Sequence, residues 1–122
     1  GWLGSSGRRA AVASSAPRAN VEQILRSTGL IDKIEVYLAC EDVDRHKPEP
    51  DVFIKAAERL GVPREDCWVI EDSLHGIQAG RSANITTIAV ATTHPRETLR
   101  IADAVFDDVA AVYQAIRSVE RE

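Results

Sequence analysis

No apolar run in this chain approaches the roughly 20 residues that a membrane helix requires, so a membrane span is not expected. The N-terminus also lacks the long apolar core of a signal peptide. Cysteine is scarce. Cys40 and Cys67 are the only two, and they have no CxxC spacing. Each adjoins an apolar run and reads as a small buried residue; this fits a reducing cytoplasm, the expected location. Basic clusters are missing too. Arg8-Arg9 is the only adjacent basic pair, and the net charge is -4. Nucleic acid is therefore not expected as a partner. No methionine starts the chain. Gly1-Trp2-Leu3-Gly4-Ser5-Ser6-Gly7 reads as a cloning remnant, a linker or a cut end, and residues 1–8 are set apart from a single domain over 9–122.

What is present is ordinary for a globular domain: 122 residues, 44% apolar and 28% charged. Apolar runs alternate with helical spacing. Ala10 to Ala13 reads as a buried strand ending in Ser14 and Ser15. Pro17 suits the first turn of a helix whose face is Val21, Ile24, Leu25 and Thr28, capped by Gly29. Ile34 to Cys40 is a second strand. Pro48 and Pro50 lead into a helix with Phe53, Ala56, Ala57 and Leu60 on one face, closed by Gly61. Cys67 to Ile70 is a third strand, with Trp68 expected in the core. Ser73 can cap the next helix, Leu74 to about Ala83, and Asn84 suits a left-handed end. Thr86 to Ala91 is a fourth strand and Ala104 to Phe106 a short fifth, with a short helix near Pro95 to Ile101 between them. A last helix would present Val109, Val112, Tyr113 and Ile116. Strands alternating with helices imply α/β architecture with a mainly parallel sheet.

In such sheets, sites lie beyond the C-terminal strand ends. Three features fall there: Ser14 after the first strand, Lys47 after the second, and the Glu71-Asp72 pair after the third. Each has a bland reading. The serine can be a helix cap, the lysine a solvated loop residue, and the acidic pair a match to a helix dipole. Their coincidence at one sheet end favours a site for phosphate and a metal ion. His46, His75 and His94 are scattered and show no ligand spacing; His75 reads as a surface or packing residue.

The blocks Val12-Ala13-Ser14-Ser15, Lys47-Pro48-Glu49-Pro50-Asp51-Val52-Phe53 and Val69-Ile70-Glu71-Asp72-Ser73-Leu74-His75-Gly76-Ile77-Gln78-Ala79-Gly80 resemble the second, third and fourth motifs of the haloacid dehalogenase superfamily. The likeness is to its β-phosphoglucomutase and phosphoglycolate phosphatase branch, over roughly residues 9 to 118. It implies a three-layer, Rossmann-like core. It implies that Ser14, with Ser15 beside it, contacts a phosphoryl oxygen, and that Lys47 neutralises charge on nucleophile and phosphate. Glu71 and Asp72 would help hold Mg²⁺, directly or through water, and Gly76 would permit a close backbone approach. The substrate would be a small phosphorylated metabolite.

The family's first motif, Asp-x-Asp-x-Thr, is not found before Ser14, and Asp103, Asp107 and Asp108 come too late in the chain to replace it. The central strand carrying that motif, and the cap domain that selects substrate, are absent from the pattern. Little or no turnover is therefore expected of this chain. Non-catalytic alternatives stay open: a core repurposed for self-association or a protein partner, or a fragment that needs a complementing N-terminal half. The gap left by the strand would be closed by direct pairing of its neighbours, by N-terminal residues, or by another chain. A homodimer covering the open edge is the favoured expectation.

Overall fold

A computed structural model describes residues 10–111. Residues 1–8 and Val112, Tyr113 and Ile116 of the expected last helix lie outside the described residues. The elements follow the expected alternation. They are β1 (Ala11–Ala13), α1 (Arg18–Ser27), β2 (Val36–Leu38), α2 (Asp51–Leu60), β3 (Trp68–Glu71), α3 (Leu74–Ser82), β4 (Thr86–Val90) and β5 (Ala104–Phe106). Three short 3₁₀ turns, Cys40–Asp42, Arg64–Asp66 and Arg96–Leu99, link them. Cys40 thus belongs to a turn rather than to β2, and Arg96–Leu99 makes a 3₁₀ turn instead of an α-helix. No helix among the described residues is long and apolar enough to cross a membrane.

Every strand pairing is parallel, but the strands form two sheets. One is β1-β2 and the other β3-β4-β5. Among the described residues β1 and β3 do not pair, so direct closure of the gap is not how this chain is built.

Side-chain alternation decides which helix covers which face. Ala11, Ala13 and Val36 point to the α2 side, where Leu38, Val52, Phe53 and Ala56 pack. Val12 and Tyr37 point the other way and meet Val21 and Leu25 of α1. Helices therefore sandwich the β1-β2 sheet, giving three layers there. The cluster on the α2 side runs on into Val69 of β3 and Ala79 and Ala83 at the end of α3. This shared helical layer joins the two sheets. Leu38, Ile77 and Leu99 are fully buried; each such side chain contributes about 1.5–3 kcal/mol of transfer free energy.

The helix ends are built as the residue types dictate. Gly61 adopts φ 72°, a left-handed value, and its N–H bonds to the carbonyls of Ala57 and Glu58, which stops α2. Asn84 takes the same region at φ 60°. Ser73 Oγ accepts from Gly76 N–H at 3.1 Å, the expected N-cap of α3.

Four burial expectations fail. Ile24 lies on α1 but is exposed; the buried stripe is only Val21 and Leu25. Trp68 is 52% exposed and Ile70 45%. In β3 the alternation gives the α3 side to Val69, leaving Trp68 and Ile70 on the opposite face. Both cysteines are half-buried rather than buried. Val109, expected on the face of the last helix, is exposed.

Candidate functional site

Four chain segments converge at the C-terminal ends of β1 and β3. They enclose a cleft of about 920 Å³ lined by Ser14, Ser15, His46, Lys47, Glu71 and Asp72, with Ser73, His75 and His94 among the others. All five site residues expected from the sequence therefore come together, although they span 59 positions from Ser14 to Asp72, counted inclusively.

Lys47 is the centre. Its Nζ donates to Glu71 Oε2 at 2.6 Å and to the Ala13 carbonyl at 3.2 Å. It also sits 5.0 Å from the centre of the Phe53 ring. The side chains of Lys47 and Glu71 are each only 12% exposed. The lysine thus spans the break in the sheet: it satisfies an edge carbonyl of β1 and pairs with the last residue of β3. A charge-assisted bond of this length is stronger than a neutral one. Partial burial makes loss of either partner costly.

Two devices hold Glu71. Gly76 on α3 leaves the space its carboxyl group occupies; a Cβ at that position would overlap the carboxylate. Ser73 Oγ lies 3.4 Å from Glu71 Oε1. Gly80, one turn further on, similarly admits Thr87 and Val69, so α3 rests directly on the sheet.

Asp72 is differently placed. Its contacts come from the loop after β4. His94 Nδ1 lies 3.1 Å from the Asp72 carbonyl, and Thr93 Oγ1 lies 3.4 Å from Asp72 Oδ2. Ser14 Oγ accepts from Ala16 N–H at 3.0 Å, which fixes the turn after β1 while the hydroxyl hydrogen stays available as a donor.

The donor set bears on the metal expectation. Glu71 is committed to Lys47, whereas Asp72 offers a carboxylate to the cleft. Among the described residues no three His, Cys, Asp or Glu side chains gather as a metal cage. One carboxylate with water and phosphate oxygens is a usual way to hold Mg²⁺, and Asp72 fits that role. Glu71 fits the part of Lys47's counter-ion.

Three features were missed in the sequence. His46, His75 and His94, scattered along the chain, all line the cleft. Thr93 had no signal at all. Asp42-Val43-Asp44 has an Asp-x-Asp spacing, but neither aspartate lines the cleft. Asp42 instead accepts from Ala39 N–H at 2.7 Å and pairs with Arg18. That backbone bond, with the Arg18 and Arg59 charges behind it, holds Asp42 below the ordinary carboxylate range. The later aspartates are structural as well. Asp103 accepts from Thr87 N–H, Asp107 pairs with Arg96, and Asp108 accepts from Ala111 N–H.

Comparison with known proteins matches residues 2–90 to the haloacid dehalogenase-like hydrolase family. A haloacid dehalogenase-like hydrolase domain-containing protein of Arabidopsis thaliana is 36% identical over 121 residues, covering 95% of this chain and 36% of that protein. The crystal structure of CbbY from Rhodobacter sphaeroides in complex with phosphate superposes with a TM-score of 0.82 at 31% identity, covering 89% of this chain and 50% of that one. The β-phosphoglucomutase of Clostridium difficile superposes with a TM-score of 0.83 at 27% identity, covering 95% and 50%. The chain spans about half or less of the length of the curated relatives it matches.

Proposed function

Because the chain belongs to the haloacid dehalogenase-like hydrolase family, we propose that its cleft is the phosphate-binding half of a phosphatase or phosphomutase site for a small phosphorylated metabolite. The observation that carries this reading is Lys47, held between Ala13 and Glu71 and facing Ser14 and Asp72 across one cleft. The Ser14 hydroxyl donates to a phosphoryl oxygen, with Ser15 alongside. The Lys47 ammonium offsets the charge of the phosphate; its pairing with Glu71 fixes where that charge sits. Asp72 would hold Mg²⁺, which would supply Lewis-acid stabilisation of phosphoryl charge. That the similar CbbY structure is a complex with phosphate supports phosphate as the kind of ligand.

Turnover by these 122 residues is expected to be nil or slight. No aspartate precedes Ser14, and Asp42, Asp103, Asp107 and Asp108, outside the cleft, are tied into the fold. The test is hydrolysis of an aryl phosphate with Mg²⁺, run beside phosphorus NMR of inorganic phosphate. The expected result is hydrolysis no faster than with Asp72→Ala, together with phosphate line broadening that Ser14→Ala removes. Broadening indifferent to Ser14 would sink the binding reading. Turnover abolished by Asp72→Ala would sink the inactivity.

The second reading is association through the sheet. β1 and β3 each keep one strand edge unpaired among the described residues, and Trp68 and Ile70 are exposed beside the β3 edge. Unpaired edges attract strands. A second copy of the chain is the proposed occupant. Sedimentation should then show a homodimer that Trp68→Arg weakens; a monomer at all concentrations would overturn it. A lone chain that stays insoluble would point to a complementing segment.

A further inference from the structure

The turn after β4 reaches across to the end of β3 and meets one residue, Asp72. Thr93 Oγ1 lies 3.4 Å from both Asp72 Oδ2 and the Asp72 carbonyl, His94 Nδ1 lies 3.1 Å from that carbonyl, and the two side chains are 2.8 Å apart. Their chemistry orders the hydrogens. A carbonyl oxygen only accepts, so His94 Nδ1 carries the proton when it bonds Asp72. Thr93 Oγ1 can share that proton as a second acceptor. The threonine hydroxyl hydrogen is then free to point at Asp72 Oδ2.

We propose that Thr93, oriented by His94, is a positioning residue that fixes the rotamer of the Asp72 side chain. Bonding at Oδ2 leaves Oδ1 for a ligand in the cleft. The two Thr93 bonds to Asp72, at 3.4 Å, are long and weak taken singly. Together they join two loops that no β-pairing connects at this level, since the β3-β4 register ends at Glu71↔Ala89. Glu71 gets its orientation from Lys47 and Gly76; Asp72 has the β4 loop instead. The consequence for cation binding rests on the reading of Asp72 given above, but the positioning itself does not.

The test reads the side chain directly, without metal. Three-bond NMR couplings to the Asp72 β-protons should report one rotamer in the wild type. Thr93→Val, which keeps the shape and removes the hydroxyl, should give averaged couplings, and Thr93→Ser should restore the single rotamer. A single rotamer in Thr93→Val, or averaging already in the wild type, overturns the proposal. A parallel titration with Mn²⁺ alone tests the consequence. Thr93→Val should weaken Asp72-dependent binding by about tenfold, as loss of outer partners of metal ligands does, with Thr93→Ser near wild type. If Asp72→Asn leaves Mn²⁺ binding unchanged, the reading of Asp72 as a ligand fails while the couplings still decide the role of Thr93.

Discussion

Lys47 and Glu71 are 24 positions apart in the chain and 2.6 Å apart in space, and their ion pair crosses the break between the two sheets. No backbone ladder does that work among the described residues. The pair therefore has a structural duty as well as an electrostatic one.

Lys47→Met leaves Glu71 charged and largely shielded from water, beside the Ala13 carbonyl. A stability loss of about 2–4 kcal/mol is expected in urea unfolding. Adding Glu71→Gln removes the stranded charge and should recover a large part of it. Strict additivity of the two substitutions would show that the pair is not coupled.

Gly76→Ala places a methyl group where the Glu71 carboxyl lies. Overpacking of this kind costs about 1–3 kcal/mol. In a Glu71→Ala background the obstacle is gone, and alanine is the better helix former by up to about 1 kcal/mol. The effect of Gly76→Ala should thus change sign between the two backgrounds. The same sign in both would mean that Gly76 serves some contact other than Glu71.

Asp42 carries the expected acid sensitivity. Its carboxyl is held below its ordinary value of 3.8 by the Ala39 N–H. A depressed value means that the folded state favours the charged form. Its contribution is complete above about pH 4–5, near the unfolded carboxylate range, and is lost as pH falls through the folded value. Asp42→Asn should destabilise the chain at neutral pH, and the gap to wild type should close progressively below the ordinary value. A gap that stays constant from neutral to acid conditions would remove Asp42 from this account.

Both thiols should react slowly. Burial, then the charges of Asp66 and Glu65, push the Cys67 thiol up, and the hydrogen bond to Glu41 pushes up that of Cys40. Thiolate is the reactive form. Alkylation by iodoacetamide near pH 8 should be slower than for a free cysteine, and removing Glu41 as Glu41→Gln should speed it at Cys40 only. Rates equal to free cysteine at both positions would contradict this.

Residue type and spacing determined much of this protein. The order of strands and helices, the stops at Gly61 and Asn84 and the Ser73 cap follow from local backbone preferences, which act over a few residues and are written locally. The convergence of Ser14, Lys47, Glu71 and Asp72 followed from the parallel pattern, because parallel strands send all their C-terminal ends to one side. Packing alone decided the rest. Trp68 looked like core because alternation gives two faces but does not say which one a helix will cover. Ile24 fell outside the buried stripe because α1 meets only the small face of a two-stranded sheet. The split between β1 and β3, the diversion of Glu71 to Lys47 and the approach of Thr93 and His94 to Asp72 depend on contacts between segments distant in the chain. Those contacts are fixed by how the helical layer seats the two sheets, and no local pattern of residues encodes that.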